Sequence, residues 1–169
     1  MLELILGGAR SGKSRFAEGE AKASNKPVTY IATASAGDGE MSARIQHHQA
    51  NRPTTWQLIE EPIELAQAIA KADHPESVTL VDCLTLWVTN LLMLNDKTKF
   101  DQSIADFLNQ CKATRGHLII VSNETGMGVV PLGELSRRFV DESGWLHQQL
   151  GELSHKVTAI MAGLPLSLK

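Results

Sequence analysis

The fold is decided by the stretch Gly7-Gly8-Ala9-Arg10-Ser11-Gly12-Lys13-Ser14, which matches the phosphate-binding pattern G-x-x-x-x-G-K-[ST] at every defined position. It follows an apolar run, residues 2–6, and opens a helical pattern at Lys13. Glycines allow backbone amides to turn inward onto phosphates, and the amino end of the helix adds partial positive charge. We therefore predict that these eight residues bind the phosphates of a nucleotide and that Lys13 acts in catalysis as a mobile positive charge. A plain glycine-rich turn is the alternative interpretation.

A magnesium ion usually accompanies such a loop. Ser14 occupies the position whose hydroxyl binds Mg²⁺, and the second protein ligand is commonly an acid at the end of an apolar strand. Asp82 follows the run Val78-Thr79-Leu80-Val81 and fits that description. We predict Ser14 and Asp82 as metal ligands, although Asp82 could instead cap the helical pattern that opens at Leu84.

Short β-rich runs alternate with helix-length segments along the whole chain. Strands are predicted at Leu2–Leu6, Val28–Thr33, Trp56–Ile59, Val78–Asp82, Leu118–Ser122 and Val157–Met161, and helices at Lys13–Ser24, Ser42–Asn51, Pro62–Ala72, Leu84–Leu94, Gln102–Ala113 and Leu135–Leu150. This alternation predicts an α/β, P-loop NTPase-like fold with a mostly parallel central sheet and helices on both faces. Residues 1–169 are expected to form a single catalytic domain, with the runs at 80–81 and 118–121 near the sheet centre.

The composition excludes several classes of function. The 169 residues carry 16 basic and 19 acidic side chains in a mixed pattern with a net charge of -3, so we expect no nucleic-acid partner. No apolar run approaches the roughly 18 residues of a membrane span, and the start shows no leader pattern, so we expect a soluble cytoplasmic protein without membrane insertion. Cys83 and Cys111 lie in patterns typical of buried elements, and we expect reduced thiols.

Several separate stretches together resemble the family of bifunctional adenosylcobinamide kinases and adenosylcobinamide-phosphate guanylyltransferases of cobalamin biosynthesis. The Arg-Ile-Gln-His-His run and the Asn-Glu-x-Gly-x-Gly-x-x-Pro loop are the most specific, because neither is a general feature of P-loop proteins. The full set comprises Gly7–Arg15, Tyr30–Ala34, Glu40–Met41, Arg44–His48, Arg52–Pro53, Asp82–Trp87, Thr89–Asn90, Asn123–Glu124 and Gly126–Pro131.

The resemblance implies a two-step enzyme. ATP or GTP first phosphorylates the aminopropanol hydroxyl of adenosylcobinamide, with Mg²⁺ as cofactor. The GMP moiety of GTP is then moved onto adenosylcobinamide phosphate through a guanylylated histidine, which gives adenosylcobinamide-GDP and pyrophosphate. Matching the Arg-Ile-Gln-His-His run places that histidine at His47, and the resemblance also suggests a homo-oligomer, with a trimer as the expected state.

The chemistry of imidazole is compatible with the role assigned to His47. Its unperturbed pKa of about 6.5 leaves it largely neutral at pH 7, so it can attack an α-phosphorus. On a helix His47 and His48 project roughly 100° apart, so only one of them can face the nucleotide. From the residues alone, both could be exposed polar side chains.

Other candidates lie at predicted strand ends. Thr33 and Ala34 match nucleotide-contacting positions of the family, as does Glu60 or its neighbour Glu61, with Glu60 favoured by motif spacing. Arg44 and Arg52 could hold triphosphate oxygens or could be solvated. The glycine-containing stretch Asn123–Gly128 is assigned to the substrate or catalytic cleft.

Two competing functions remain open at this stage. A P-loop kinase of another small alcohol would explain the loop and Asp82 but would leave the Arg-Ile-Gln-His-His run unused. A nucleotide-dependent switch that binds a protein partner is less favoured, because the guanine-selective N-K-x-D pattern does not occur in the sequence.

Overall fold

The computed structural model describes residues 1–34 and 53–169, which form a seven-stranded sheet in the order β3-β2-β4-β5-β1-β6-β7. The strands are β1 (Leu2–Gly7), β2 (Val28–Ala32), β3 (Gln57–Glu60), β4 (Val78–Asp82), β5 (His117–Asn123), β6 (Lys156–Met161) and β7 (Leu164–Ser167). The helices are α1 (Lys13–Ala23), α2 (Leu65–Ala72), α3 (Leu84–Met93), α4 (Lys97–Ala113) and α5 (Glu134–Leu153).

The sheet is parallel except at one edge. Strands β1 to β6 pair in parallel, and only β7 runs antiparallel to its neighbour β6. The predicted sheet centre is confirmed, because β4 and β5 each have strands on both sides and are buried along almost their whole length. Strands covered on both faces are apolar without alternation, which is the pattern that the sequence showed there.

Helices cover both faces, as predicted. Helix α1 packs Ala17 and Ala21 against one face, over side chains such as Ile5 and Ile119. Side chains of helices α2 to α5 join the other core, where Trp87 is fully buried. The phosphate-loop helix therefore lies on the opposite face of the sheet from the other four described helices.

Two elements differ most from the sequence-based prediction, and the bounds of the other described elements agree to within three residues. Helix α4 begins at Lys97 rather than Gln102, because the Asp96 carboxylate accepts the Lys99 N–H at 3.0 Å and caps the first turn. Strand β7 was not predicted, since it has only four residues and contains Pro165. It forms because Ala162 and Gly163 both adopt positive φ, the geometry of a tight hairpin turn. The predicted helix Ser42–Asn51 lies outside the described residues.

Cys111 is buried, Cys83 is partly buried, and both are free thiols. Burial raises the pKa of Cys83 to about 11 and that of Cys111 to about 12. Both are therefore protonated at neutral pH, as expected of packed thiols. Within the described ranges no helix is long and apolar enough to cross a bilayer.

Candidate active site at the carboxyl edge of the sheet

The loop between β1 and α1 has the backbone geometry of an anion-binding turn. Arg10 and Gly12 have positive φ values of 56° and 96°, and the Ser11 N–H donates to the Gly8 carbonyl at 3.2 Å. Gly7 has no space for a side chain, because a Cβ there would come within 2.5 Å of the Ser11 Oγ and 2.7 Å of a main-chain oxygen. The glycine spacing of the motif is thus explained by close backbone packing and by the left-handed turn.

Lys13 folds back over its own loop. Its Nζ donates to the Gly8 carbonyl at 3.1 Å, and only 9% of the residue is exposed. Burial lowers the pKa of Lys13, against the opposing attraction of the Asp82 carboxylate. A charge held in this way is poorly solvated, so a phosphate oxygen arriving at the loop would be a favourable partner.

Asp82 ends β4, two strands away from β1 in the sheet. The Tyr30 hydroxyl donates to the Asp82 Oδ2 at 3.0 Å and orients the carboxylate. The N-cap position of α3 is occupied by Cys83, and no side chain caps that end. The alternative role of Asp82 as a helix cap is therefore wrong, which leaves its second carboxylate oxygen for another partner.

Thr33 joins the ends of β2 and β4. Its hydroxyl donates to the Cys83 carbonyl at 2.7 Å and accepts the Cys83 N–H at 3.0 Å. The Asn90 side chain donates to the Thr33 carbonyl at 2.8 Å. Thr33 is fully buried whereas Ala34 is half-buried, so Ala34 is the more accessible of the two predicted contact residues.

The structure distinguishes the two glutamates after β3. The Glu61 Oε1 accepts the N–H groups of Ile63 and Glu64 at 3.0 and 2.9 Å, so this carboxylate stabilises the turn before α2. Glu60, the last residue of β3, is exposed. Glu60 therefore has the more accessible of the two carboxylates, and its contact with a nucleotide stays a prediction.

The predicted cleft segment Asn123–Gly128 begins beside the phosphate loop. Gly7 is in register with Asn123, and the Glu124 N–H donates to the Gly7 carbonyl at 3.0 Å. The Asn123 Oδ1 is buried and has no hydrogen-bond partner among the described residues. A buried amide oxygen at this place is a ready acceptor for a bound ligand or water.

Two contributions to this edge were not predicted from the sequence. His147 of α5 places its Nε2 at 2.8 Å from the Ser122 Oγ and its Nδ1 at 3.8 Å from the Glu124 Oε2. The Thr85 Oγ1 accepts the Asn123 N–H at 2.8 Å and lies 3.5 Å from the Ser122 Oγ. A histidine in the middle of an amphipathic helix gives no sequence signal for such a contact, whereas Thr85 lies within one of the family-like stretches.

Three of the predicted positions, His47, Arg44 and Arg52, lie outside the described residues. In residues 1–34 and 53–169 no group of three His, Cys, Asp or Glu side chains could hold a metal ion. A metal at Ser14 and Asp82 would thus have to complete its shell with nucleotide oxygens and water, as Mg²⁺ commonly does.

A cavity of about 250 Å³ opens elsewhere, between α2, α3 and α4. Glu64, Trp87, Asp106 and Gln110 contribute to its walls. No residue of the phosphate loop lines this cavity, so it does not belong to the site at the carboxyl edge.

A comparison with solved structures supports the fold. The RadB recombinase has a similar structure, with a TM-score of 0.56 at 15% sequence identity; the alignment covers 94% of this chain and 73% of that protein. The described sheet with its phosphate loop is thus a P-loop NTPase-like fold.

Comparison with curated sequences and with family models identifies the relatives. The chain is 54% identical over 169 residues to the bifunctional adenosylcobalamin biosynthesis protein CobP of Pseudomonas aeruginosa, covering 100% of this chain and 98% of that protein. It is 36% identical over 182 residues to the bifunctional adenosylcobalamin biosynthesis protein CobU of Escherichia coli, covering 100% of both. The family model described as cobinamide kinase / cobinamide phosphate guanyltransferase matches residues 3–168. The chain therefore belongs to the cobinamide kinase / cobinamide phosphate guanyltransferase family.

Proposed function

We propose that this chain phosphorylates adenosylcobinamide with ATP or GTP and then transfers GMP from GTP to adenosylcobinamide phosphate through a guanylylated His47. One observation carries the proposal: the family match extends over residues 3–168 and includes a complete phosphate loop next to Asp82 and the 123–128 segment. The products are adenosylcobinamide-GDP and pyrophosphate. Residues 1–169 act as one catalytic domain.

Lys13 and the loop amides serve both steps. In the kinase step they neutralise charge on the transferred γ-phosphate, and in the guanylyl step they neutralise charge on the departing pyrophosphate. The poorly solvated Lys13 ammonium supports this role, because it gains most from a phosphate oxygen in this surrounding. The eight loop residues from Gly7 to Ser14 hold the nucleotide in either step.

Ser14 and Asp82 would hold Mg²⁺. A hydroxyl and a carboxylate oxygen are ligands that this hard cation prefers, and Tyr30 leaves one Asp82 oxygen available. When bound, the ion would supply positive charge that offsets the negative charge of the phosphates during transfer. Ser14 is the second residue of α1, directly after Lys13, so its hydroxyl stays close to the phosphates that the loop binds.

Ala34, Thr33 and Glu60 form the remainder of the proposed nucleotide site. Ala34 lies two residues beyond β2, Glu60 is the last residue of the neighbouring strand β3, and Glu60 is exposed. Parallel strands lie roughly 4.8 Å apart, so Glu60 is about 19 Å from the phosphate-loop strand, which is four places along the sheet. A carboxylate at that distance suits the far end of an extended nucleotide rather than its phosphates.

We also propose that the protein is a homo-oligomer, with the family's trimer as the expected state. An apolar segment supports this, since Met127, Val129, Val130, Leu132 and Leu135 are between 52% and 97% exposed. Contiguous exposure of this kind marks an interaction surface.

We place the protein in the cytoplasm, where its nucleotide substrates are available.

The deciding experiment uses GTP labelled at the α-phosphate. Wild-type protein incubated with this GTP and Mg²⁺, then denatured, should retain label that is acid-labile and base-stable. His47→Asn should retain none, whereas the matched neighbour His48→Asn should be labelled. Active protein that never becomes labelled would favour a P-loop kinase of another small alcohol.

A further inference from the structure

Glu124 is the described carboxylate whose backbone lies nearest the phosphate loop at this edge. Strand β5 lies directly between β1, which carries the loop, and β4, which carries Asp82. Glu124 is the first residue beyond β5, and its N–H donates to the Gly7 carbonyl at 3.0 Å. It is therefore one strand from the loop, about 5 Å, whereas Asp82 is two strands away and Glu60 is four.

The Glu124 carboxylate is oriented by two neighbours. Its Oε1 accepts the Gly126 N–H at 2.6 Å, and its Oε2 lies 3.8 Å from the His147 Nδ1. About a quarter of the side chain, 26%, is exposed. The carboxylate thus has a defined orientation and is still partly open to solvent, so a substrate can reach it.

His147 is itself held by a chain of polar contacts. Its Nε2 lies 2.8 Å from the Ser122 Oγ, which lies 3.5 Å from the Thr85 Oγ1. Burial lowers the pKa of His147, against the attraction of Glu124, so the neutral ring is favoured. A neutral ring that accepts from Ser122 at Nε2 carries its proton on Nδ1, and that N–H points toward Glu124.

We propose that Glu124 is the general base of the kinase step, with His147 as its positioning residue. This inference rests on the proposed function. The Glu124 carboxylate takes the proton of the acceptor hydroxyl while that oxygen attacks the γ-phosphorus. The new O–P bond forms as the bond from the γ-phosphorus to the β–γ bridging oxygen breaks. The nucleoside diphosphate leaves with that electron pair, and Glu124 later releases its proton to solvent.

Other described carboxylates at this edge are already engaged or too distant. Asp82 is held by Tyr30 and is assigned to the metal. Glu61 accepts hydrogen bonds from two backbone N–H groups before α2.

The guanylyl step needs no base of this kind, because the neutral His47 imidazole attacks directly. The two activities should therefore depend differently on Glu124.

The test compares Glu124→Gln and Glu124→Asp with the wild type in two assays. One measures phosphate transfer from γ-labelled nucleotide to adenosylcobinamide, and the other measures guanylylation of the chain from α-labelled GTP. For Glu124→Gln we expect the kinase kcat to fall by roughly 10²–10⁴-fold, with guanylylation retained within about 3-fold. Glu152→Gln, at an exposed position of α5, is the matched control and should change neither activity.

The pair of variants separates a base from a structural role. Glutamine keeps an oxygen for the Gly126 N–H but cannot accept the proton, whereas aspartate is shorter but still a base. A general base predicts that the aspartate variant is the faster kinase, and a structural role predicts that the glutamine variant is. A Glu124→Gln kinase within about 3-fold of the wild type would overturn the inference, as would equal losses in both assays with a lowered Tm.

The wild type shows which of the two proposals has failed. Wild-type protein that neither phosphorylates adenosylcobinamide nor becomes guanylylated would overturn the proposed function itself. Active wild type together with an equally active Glu124→Gln would overturn only the assignment of the base.

Discussion

The Gly163 N–H donates to the Ser11 carbonyl at 2.9 Å, so the turn between β6 and β7 is tied to the phosphate loop. Gly163 has a φ of 80°, and a Cβ built on it would lie 3.5 Å from the Arg15 guanidinium. The hairpin at the sheet edge therefore helps to hold the backbone that must bind phosphate.

Replacing Gly163 should weaken both stability and nucleotide binding. In Gly163→Val a branched side chain must adopt positive φ, which costs roughly 1–2 kcal/mol of unfolding free energy. Distortion of the turn should also raise the Kd for GTP, measured by calorimetry. Gly151→Ala, within helix α5 and with nothing within 4 Å of its Cβ position, should instead stabilise the protein by about 1 kcal/mol. Equal behaviour of the two variants would contradict the link to the loop.

Lys13→Met should separate function from stability. Both activities should fall by roughly 10²–10³-fold or more, and GTP should no longer raise the Tm. The unfolding free energy should not fall, because a buried charge is removed.

Burial lowers the pKa of Lys13 in the folded protein from its usual 10.5, so the unfolded chain binds the proton more tightly. The free energy of unfolding of the wild type should therefore increase as pH rises through the folded-state pKa. Urea unfolding in the alkaline range should show that gain in the wild type and not in the variant.

Asp82→Asn tests the metal site. The asparagine oxygen can still accept from Tyr30, but it has lost the charge that Mg²⁺ needs. The Mg²⁺ concentration for half-maximal rate should rise by about 10- to 100-fold or more in both activities. Asp101→Asn, at an exposed position of α4, should leave the Mg²⁺ dependence unchanged. An Asp82→Asn enzyme with wild-type Mg²⁺ dependence would remove Asp82 from the ligand set.

Glu3 should make the protein sensitive to acid. It is fully buried, with Lys156 at 2.8 Å and His117 at 3.4 Å, and Lys156 also pairs with Glu20. Burial alone would raise the pKa of Glu3, but the close contacts with His117 and Lys156 outweigh it and hold the pKa below its usual 4.5. Its contribution is therefore present above about pH 4.5 and is lost as pH falls through the lower folded-state pKa.

Glu3→Gln should be less stable at pH 7 by about 1–3 kcal/mol, since Lys156 and His117 lose a buried charged partner. The difference from the wild type should shrink toward pH 3 in urea unfolding. Glu76→Gln, whose side chain is 77% exposed, is the control and should behave as the wild type throughout. A Glu3→Gln penalty that is constant with pH would show that packing, rather than charge, is responsible.

Charges in the apolar segment should dissociate the proposed oligomer. Val129 and Leu132 are 96% and 97% exposed, and burying such side chains in a contact is worth roughly 1.5–3 kcal/mol each. The double substitution Val129→Asp with Leu132→Asp should thus raise the dissociation constant by at least about 100-fold. Analytical ultracentrifugation would measure it, with Met93→Asp, exposed at the end of α3, as the control. An oligomer that is unaffected by the double substitution must use another surface.

Local patterns predicted the strands and helices of the phosphate-binding half well, because each needs only neighbouring residues. The loop from Gly7 to Ser14 lies between β1 and α1, and Asp82 ends β4, both as predicted. The start of α4 and the presence of β7 were missed. The Asp96 cap and the turn at Ala162–Gly163 depend on backbone conformations that hydrophobic periodicity does not report.

The fold class, the phosphate loop and the family could be read from the amino-acid sequence, since these follow from contiguous motifs and from the alternation of strand and helix patterns. The tertiary structure was needed to show that Glu124 lies beside Gly7, that His147 contacts both Ser122 and Glu124, and that Gly163 holds Ser11. The reason is physical: these contacts join residues that lie far apart in the chain. They depend on the order of strands in the sheet, and buried parallel strands are too alike in sequence to reveal which of them are neighbours.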